Sequence, residues 1–428
     1  MIQSAYDAIV IGGGPAGSTA AALVASAGFK TLLIEREHFP RHHVGESLMP
    51  ETYWIFERLG MLEKLYRTNF VHKVGVQFVN STGRESQPFI FRSHDPRDCS
   101  ETWHVARPEF DAMLIANAVE KGAVCHYGVR AREVLFEGDR AVGVRIQPEN
   151  DPVQDVACKV VIDATGQSAL LANRLGIRRV DPDLKKAAIW GHFRGASREV
   201  HHGGVSTIVI QTPRKTGWFW YIPQADDIVS VGVVSDNDYL LKRRGTPEDA
   251  FYEEVDNCPA VKRRIEGSEN IDGLRVVKEY SYLNDRPSGD GWVLAGDAWG
   301  FIDPLYSSGV YFGMKSGELV ADCVIEALRT GDTSAEMLGK WGPGFKGGTL
   351  WVRKLVKAYY TGEFRVGKFI REYPHHKAGI TDILIGRIFG PTAGAVFADL
   401  EPWLERRKQI SDVEDEAEVE DPTVPSFG

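Results

Sequence analysis

No apolar run in the sequence approaches the ~20 residues that a membrane helix requires. The opening MIQSAYDAIVIGGGPAG has neither the basic leader nor the small-residue cleavage site of an exported chain, so a cytoplasmic protein is the expectation. Cysteine is scarce: Cys99, Cys125, Cys158, Cys258 and Cys323 are odd in number, scattered and without a C-x-x-C pair, as suits reduced thiols in a reducing compartment. Positive charge is short as well. The formal net charge is -9, and all but about two of those charges come from Asp412, Glu414, Asp415, Glu416, Glu418, Glu420 and Asp421, in a terminal run that holds no base. The nearly neutral remainder removes the electrostatic case for nucleic acid, and the tail reads as a solvated, disordered end, in preference to the interaction arm that such tails can also form. No metal is assigned. The paired histidines (His42 and His43, His201 and His202, His375 and His376) are adjacent and expected to diverge, and Pro40 breaks any helix that would align His38 with His42. "GESLM" lacks the last glycine of a nucleophile elbow, which argues against a serine hydrolase.

What is present starts at the first strand. "YDAIVI" is an apolar run ending in glycines, "PAGSTAAALVASAG" an alanine-rich helix pattern and "TLLIER" a second apolar run: a β-α-β unit. At its strand-to-helix junction lies Gly12-Gly13-Gly14-Pro15-Ala16-Gly17. Gly12 permits the tight turn, Gly14 lets backbone approach a pyrophosphate, and Gly17 lets helix and strand pack. The helix start attracts the phosphate charge. Glu35 closes the second strand and can accept hydrogen bonds from a ribose. No second such motif follows a strand, so one bound dinucleotide must do the chemistry.

Beyond this unit, "PETYWIFERLGMLEKL" and "RPEFDAMLIANAVEKG" read as helices. "VCHYGVRAREVLFEGDRAVGVRI" reads as antiparallel strands turning at Gly138 and Asp139, and "KVVIDATG" as a buried strand. From about Lys185 to Glu279 the patterns are strand-like and turn-rich. The expected fold is α/β: a Rossmann-like nucleotide-binding part with some of a second sheet over 1–184, a mainly antiparallel substrate sheet inserted over 185–285, a return to the first part over 286–337, a helical region over 338–410 and the acidic tail over 411–428. Asp297, after Gly296 at a strand end, suits a flavin ribityl chain, although an aspartate there is by itself more often a helix cap.

The glycine fingerprint, Glu35, "FPRHHVGESL" (39–48), "ARPEFD" (106–111) and "GDAWGFIDPLYSSG" (296–309) together resemble the FAD-dependent oxidoreductases built on the p-hydroxybenzoate hydroxylase plan, over roughly Tyr6 to Arg329. The resemblance implies FAD held by Gly12, Gly14, Pro15, Ala16, Gly17, Glu35, Arg36, Arg41, Arg107, Asp297, Pro304, Gly309 and Val310. Hydroxylases that reduce their own flavin typically carry an Asp-Gly pair near Asp163. Here the sequence reads "VIDATGQSA", which implies that FADH2 comes from a separate flavin reductase.

"GWFWYIP" (217–223) matches the W-x-W-x-I-P motif of the flavin-dependent halogenases, through Trp218, Trp220, Ile222 and Pro223. "FIDPLYSSG" (301–309) matches their F-x-x-P-x-x-S-x-G pattern, and Lys73 in "KVGVQF" their halogen-transfer lysine. Each match has a plainer reading. The tryptophans alternate and share one sheet face, as core residues would; a lysine is most often solvated; the loop could simply lead into a helix. The three together resemble a halogenase. That implies a flavin hydroperoxide oxidising chloride or bromide held by backbone N–H groups near Ser308 and Gly309, an aromatic partition at Trp218 and Trp220, and Lys73 aiming the oxidant at the substrate.

Tryptophan-directed members carry a glutamate where Tyr306 stands, so the departure implies an electron-rich phenol or pyrrole. The segment 350–377 is basic, with Trp351, Leu355 and Tyr359 on one helical face. It reads either as a dock for an acidic carrier bearing the substrate or as an amphipathic helix over the site with a solvated basic face. The rivals are a geranylgeranyl-reductase-like flavoprotein, usually with Phe-Pro in place of Ile222-Pro223, a hydroxylating monooxygenase, and a flavin-binding module without chemistry.

Overall fold

The computed structural model describes residues 2–420 apart from 202, 216 and 391. It opens with the expected unit, β1 (Ala5–Ile11), α1 (Pro15–Ser26) and β2 (Thr31–Ile34). There follow β3 (Val71–Val79), β4 (Thr102–His104), α2 (Arg107–Glu120), β5 (Gln154–Asp163), β6 (Arg178–Arg194), β7 (Gly204–Gln211), β8 (Trp218–Pro223) and β9 (Ile228–Asp236). The last part of the chain holds α3 (Pro247–Asp256), α4 (Pro259–Ile265), β10 (Arg275–Asn284), β11 (Trp292–Leu294), α5 (Ser308–Thr330), α6 (Gly342–Tyr360) and α7 (Phe397–Glu420).

The first sheet runs β11, β5, β1, β2 and Val124–His126, all parallel. Parallel strands linked by crossovers are covered on both faces and read as unbroken apolar runs, and "TLLI" of β2 is buried at every position. The hairpin Val129–Glu137 with Arg140–Pro148, turning at Gly138 (φ 59), joins this sheet along β5.

The second sheet runs β10, β6, β9, β8, β7 and β3. It is antiparallel except where β7 lies parallel to β3. Strand β8 sits inside it, paired on both sides, and its residues divide by parity. Trp218, Trp220 and Ile222 face the main core, while Phe219 and Tyr221 face a second cluster with Phe193, Val231, Phe251 and Val261. Burial on both faces explains a strand with no polar position.

One expectation fails here. Between Lys185 and Glu279 the sequence reads as strands and turns, yet Asn237–Leu241, α3 and α4 are helices, and they cover the second face of this sheet. An apolar face left bare would need such a cover. The start of α3 carried a local signal: the Thr246 hydroxyl accepts from Asp249 N at 3.1 Å, the Asp249 carboxylate accepts from Thr246 N at 2.8 Å, and Pro247 follows the cap.

Helix α6 buries Phe345, Val352, Leu355 and Val356 in the main core. Helix α7 continues to Glu420, well into the acidic run, and residues 421–428 lie outside the described residues. Helices α1 and α5 touch backbone to backbone, since a Cβ on Gly317 would lie 2.4 Å from Ala16 O. Among the described residues no helix is long and apolar enough to cross a membrane.

Candidate active site

The glycines of the first loop answer to different demands. Gly12 has φ +106, and a Cβ there would lie 2.3 Å from Ala164 O; one on Gly17 would lie 1.9 Å from Gly12 O. Backbone contact alone enforces both. Gly14 is different, because its Cβ would meet only Arg41 Nη2, at 3.8 Å. That leaves an open cradle over the first-turn N–H groups of α1. Arg41 Nε is buried without a hydrogen bond, its nearest carboxylate oxygen being Glu37 Oε2 at 3.7 Å. Backbone donors, a helix start and an unsatisfied guanidinium nitrogen fit a diphosphate.

The other nucleotide-site candidates are placed unequally. Glu35 is buried and accepts from Gly13 N at 2.8 Å and Glu37 N at 2.9 Å, which sets its carboxylate beside the loop. Arg107 is also buried, but its donors go to Asp111 (2.8 and 2.9 Å) and to Val44 O. It ties the 39–48 segment to α2. Arg36 lies at the surface against Glu37. Asp297 keeps some open side-chain surface yet lies deep enough in the protein that burial raises its carboxyl to about 7, with Arg107 opposing. Gly45 (φ +108) brings three of these parts together, since a Cβ there would lie 2.9 Å from Arg107 Nη1 and 3.1 Å from Val310 of α5. Pro304, Gly309 and Val310 lead into and begin α5, whose Gly313 faces Ala16 of α1.

Lys73 is buried, at 2% exposure. Its amine donates to Leu48 O at 2.8 Å and lies 5.6 Å from the centre of the Phe91 ring, and burial alone lowers its pKa from 10.5 to about 7. A bulge aims it. Lys73 pairs with Val205 whereas Gly75 pairs with Ser206, so two residues of β3 pass one of β7 and parity slips. Lys73 thereby shares a face with Val76 and Thr207. Trp218 and Trp220 pack 6.1 Å apart between ring centres on the core face of β8. Trp218 Nε1 donates to the Tyr360 hydroxyl at 2.9 Å, which donates to Asp303 at 3.1 Å; Trp220 Nε1 donates to Ser230 at 3.1 Å, and a Cβ on Gly232 would lie 2.3 Å from its ring.

A family model described as an FAD binding domain matches residues 5–339. The 1H-pyrrole-2-carbonyl-[peptidyl-carrier protein] chlorinase of Pseudomonas fluorescens is 31% identical over 90% of this chain and 90% of its own length. The corresponding brominase of Pseudoalteromonas luteoviolacea is 32% identical over 76% of this chain and 79% of its own. The chain belongs to the flavin-dependent halogenases. Among solved structures, a triple mutant of the flavin-dependent brominase Bmp2 superposes with a TM-score of 0.83 at 29% identity, covering 94% of this chain and 100% of that one.

Within this halogenase, Tyr306 is buried and turned toward the Leu355 carbonyl of α6 at 3.5 Å. A cavity of about 430 Å³ lies between the loop after β11, α5 and α6, lined by Gly296, Trp299, Ile302, Phe312, Phe345 and Leu350. Lys73, Trp218 and Trp220 do not line it. Sequence reasoning missed several polar residues. Glu46 accepts from His192 at 2.7 Å, and Asp272 holds the other ring nitrogen at 2.7 Å. Burial works against a charged His192, but the two carboxylates prevail and raise it to about 9. "GES" marked Glu46 only as part of a family segment. The divergence expected of adjacent histidines fails at His375 and His376: their ring centres are 4.1 Å apart, and both Nε2 atoms lie within 3.5 Å of Asp399 Oδ2, which draws them to one side.

Proposed function

We propose that this chain is the halogenating component of a two-component system, which uses FADH2 from a separate reductase, oxygen, and chloride or bromide to halogenate an electron-rich pyrrole or phenol through Lys73. Bound reduced FAD would supply the two-electron activation of oxygen that turns halide into hypohalous acid. The observation that carries the reading is the buried amine of Lys73, which has no carboxylate partner among the described residues and whose pKa burial lowers to about 7. An exposed lysine would be an ammonium with its lone pair blocked. A buried neutral amine can take up electrophilic halogen and hand it on, or donate a hydrogen bond to the oxidant.

The remaining residues support roles of their own. The cradle at Gly12 to Gly17, with Glu35, Arg41 and Asp297, would hold FAD, and Arg107 would brace it. The start of α5 at Ser308 and Gly309 would hold the halide. Trp218, Trp220, Ile222 and Pro223 would part flavin from substrate; the indoles are fixed by hydrogen bonds and close packing, so the wall would pass a small oxidant and exclude an aromatic ring. With Tyr306 where a glutamate base would stand, the substrate must carry its own activation. The names of the two curated relatives support a pyrrolyl group on a carrier protein. The basic face of α6 adds little, since Arg353 pairs with Asp181 (3.0 Å), Lys354 with Glu401 (2.6 Å) and Lys357 with Asp183 (3.0 Å).

The test supplies reduced FAD, oxygen and bromide to the wild type and to Lys73→Ala, with carrier-bound pyrrole-2-carbonyl, a free phenol and monochlorodimedone as acceptors. Wild type gives brominated pyrrole or phenol. The variant loses this by at least ~100-fold, as removal of a group that acts in the transition state does, while free hypobromous acid still reaches monochlorodimedone. Halide-independent hydroxylation, or reduction of an alkene, would overturn the proposal.

A further inference from the structure

Ser307 stands at the N-cap of α5 in a left-handed conformation (φ 59, ψ 25) and makes no side-chain hydrogen bond to the helix. An N-cap serine ordinarily accepts from the second or third helical N–H. This hydroxyl turns the other way. It donates to Ser47 Oγ at 3.1 Å; Ser47 lies 2.7 Å from Thr207 Oγ1, Thr207 2.8 Å from His104 Nε2, and His104 Nδ1 2.7 Å from the carbonyl oxygen of Pro223. Ser47, Thr207 and His104 are buried, at 3%, 3% and 1% exposure.

One end of this chain sets the direction of the whole. A proline carbonyl only accepts, so Nδ1 of His104 carries the proton. Burial, with Lys73 adding to it, depresses His104 to about 3, so the ring is neutral and Nε2 offers a lone pair. Thr207 must then donate to His104, Ser47 to Thr207 and Ser307 to Ser47. Every hydroxyl proton points toward the histidine. His104 also pairs with Val71, two residues before Lys73, so the relay joins the start of α5 to the surroundings of the lysine.

We propose that His104, Thr207 and Ser47 are positioning residues that hold the Ser307 hydroxyl away from α5, leaving the first-turn N–H groups, that of Gly309 above all, open to the halide. The inference rests on the halide reading given above. A capping hydroxyl and a halide compete for the same donors, so a relay that occupies the hydroxyl decides the competition. The relay also gives a task to Pro223, whose carbonyl fixes the histidine tautomer.

Two measurements on the FAD-loaded protein test this. Nitrogen-15 NMR of labelled histidine should find His104 neutral and protonated at Nδ1. Bromide titration, followed by perturbation of the bound flavin spectrum, should show binding about 5-fold weaker in Thr207→Val, the weight of one capping hydrogen bond. Thr207→Ser should bind like wild type, and Thr207→Val combined with Ser307→Ala should recover to within about 2-fold, since no hydroxyl is left to compete. An Nε2-protonated or cationic His104, unchanged bromide binding in Thr207→Val, or no recovery in the double variant overturns the relay alone. Wild type that fails to bind bromide overturns the halide reading and the relay with it.

Discussion

Lys73 and His192 show how burial acts on two cations with different neighbours. Among the described residues Lys73 has only a carbonyl to donate to, so desolvation prevails and its pKa falls to about 7. Folding therefore costs stability while the unfolded lysine would hold a proton, and that cost fades as pH rises from 7 toward 10.5. His192 is faced by Glu46, Asp272, Arg275 and His42, and the carboxylates raise it to about 9 from 6.5. The sign is opposite: its contribution is complete below pH 6.5 and is lost as pH climbs through 9. The shift corresponds to on the order of 3 kcal/mol. Melting of wild type against His192→Gln should show the widest gap near pH 6 and a narrow one by pH 10. A gap that does not vary with pH would rule out a charged His192.

The elements differ in how far the sequence announces them. The unit β1, α1, β2 was legible because its glycine spacing is a local pattern: Gly17 packs against Gly12 O within the same loop, although the carbonyl that crowds Gly12 belongs to Ala164, far along the chain. The parity of β8 was legible for the same reason, as a local pattern. Lys73 could be named by resemblance, but its orientation depends on a bulge against Val205, which no local pattern reveals. His104 was invisible, since its role depends on a carbonyl 119 residues away. Helix α3 was missed although its cap was in view. That cap is measurable: Thr246→Ala should cost about 1 kcal/mol in chemical denaturation, and Thr246→Ser should restore most of it. No loss in the alanine variant would mean that the packing of Phe251 and Val255 alone holds the helix.

At the scale of the whole molecule, one core cluster contains side chains from Tyr6 in the first strand to Trp403 in the last helix. The α/β plan with a helical C-terminal region was readable, but not this continuity, which depends on tertiary contacts. A chain ending at Gly339 would forfeit Phe345, Val352, Leu355, Val356 and Phe369, each worth about 1.5–3 kcal/mol when buried, against a net stability of about 5–15 kcal/mol for a folded domain. It should be insoluble or melt without cooperativity. A soluble fragment with a sharp transition and bound FAD would show that the C-terminal helices are an appendage.

Strand β8 is gripped by β7 and β9 at its edges and by packed side chains on both flat surfaces. A slip of one residue would exchange its indoles for Phe219 and Tyr221. Diversification of this fold is therefore channelled elsewhere: the loops around the sheet can be reshaped, while this strand has almost no freedom to drift.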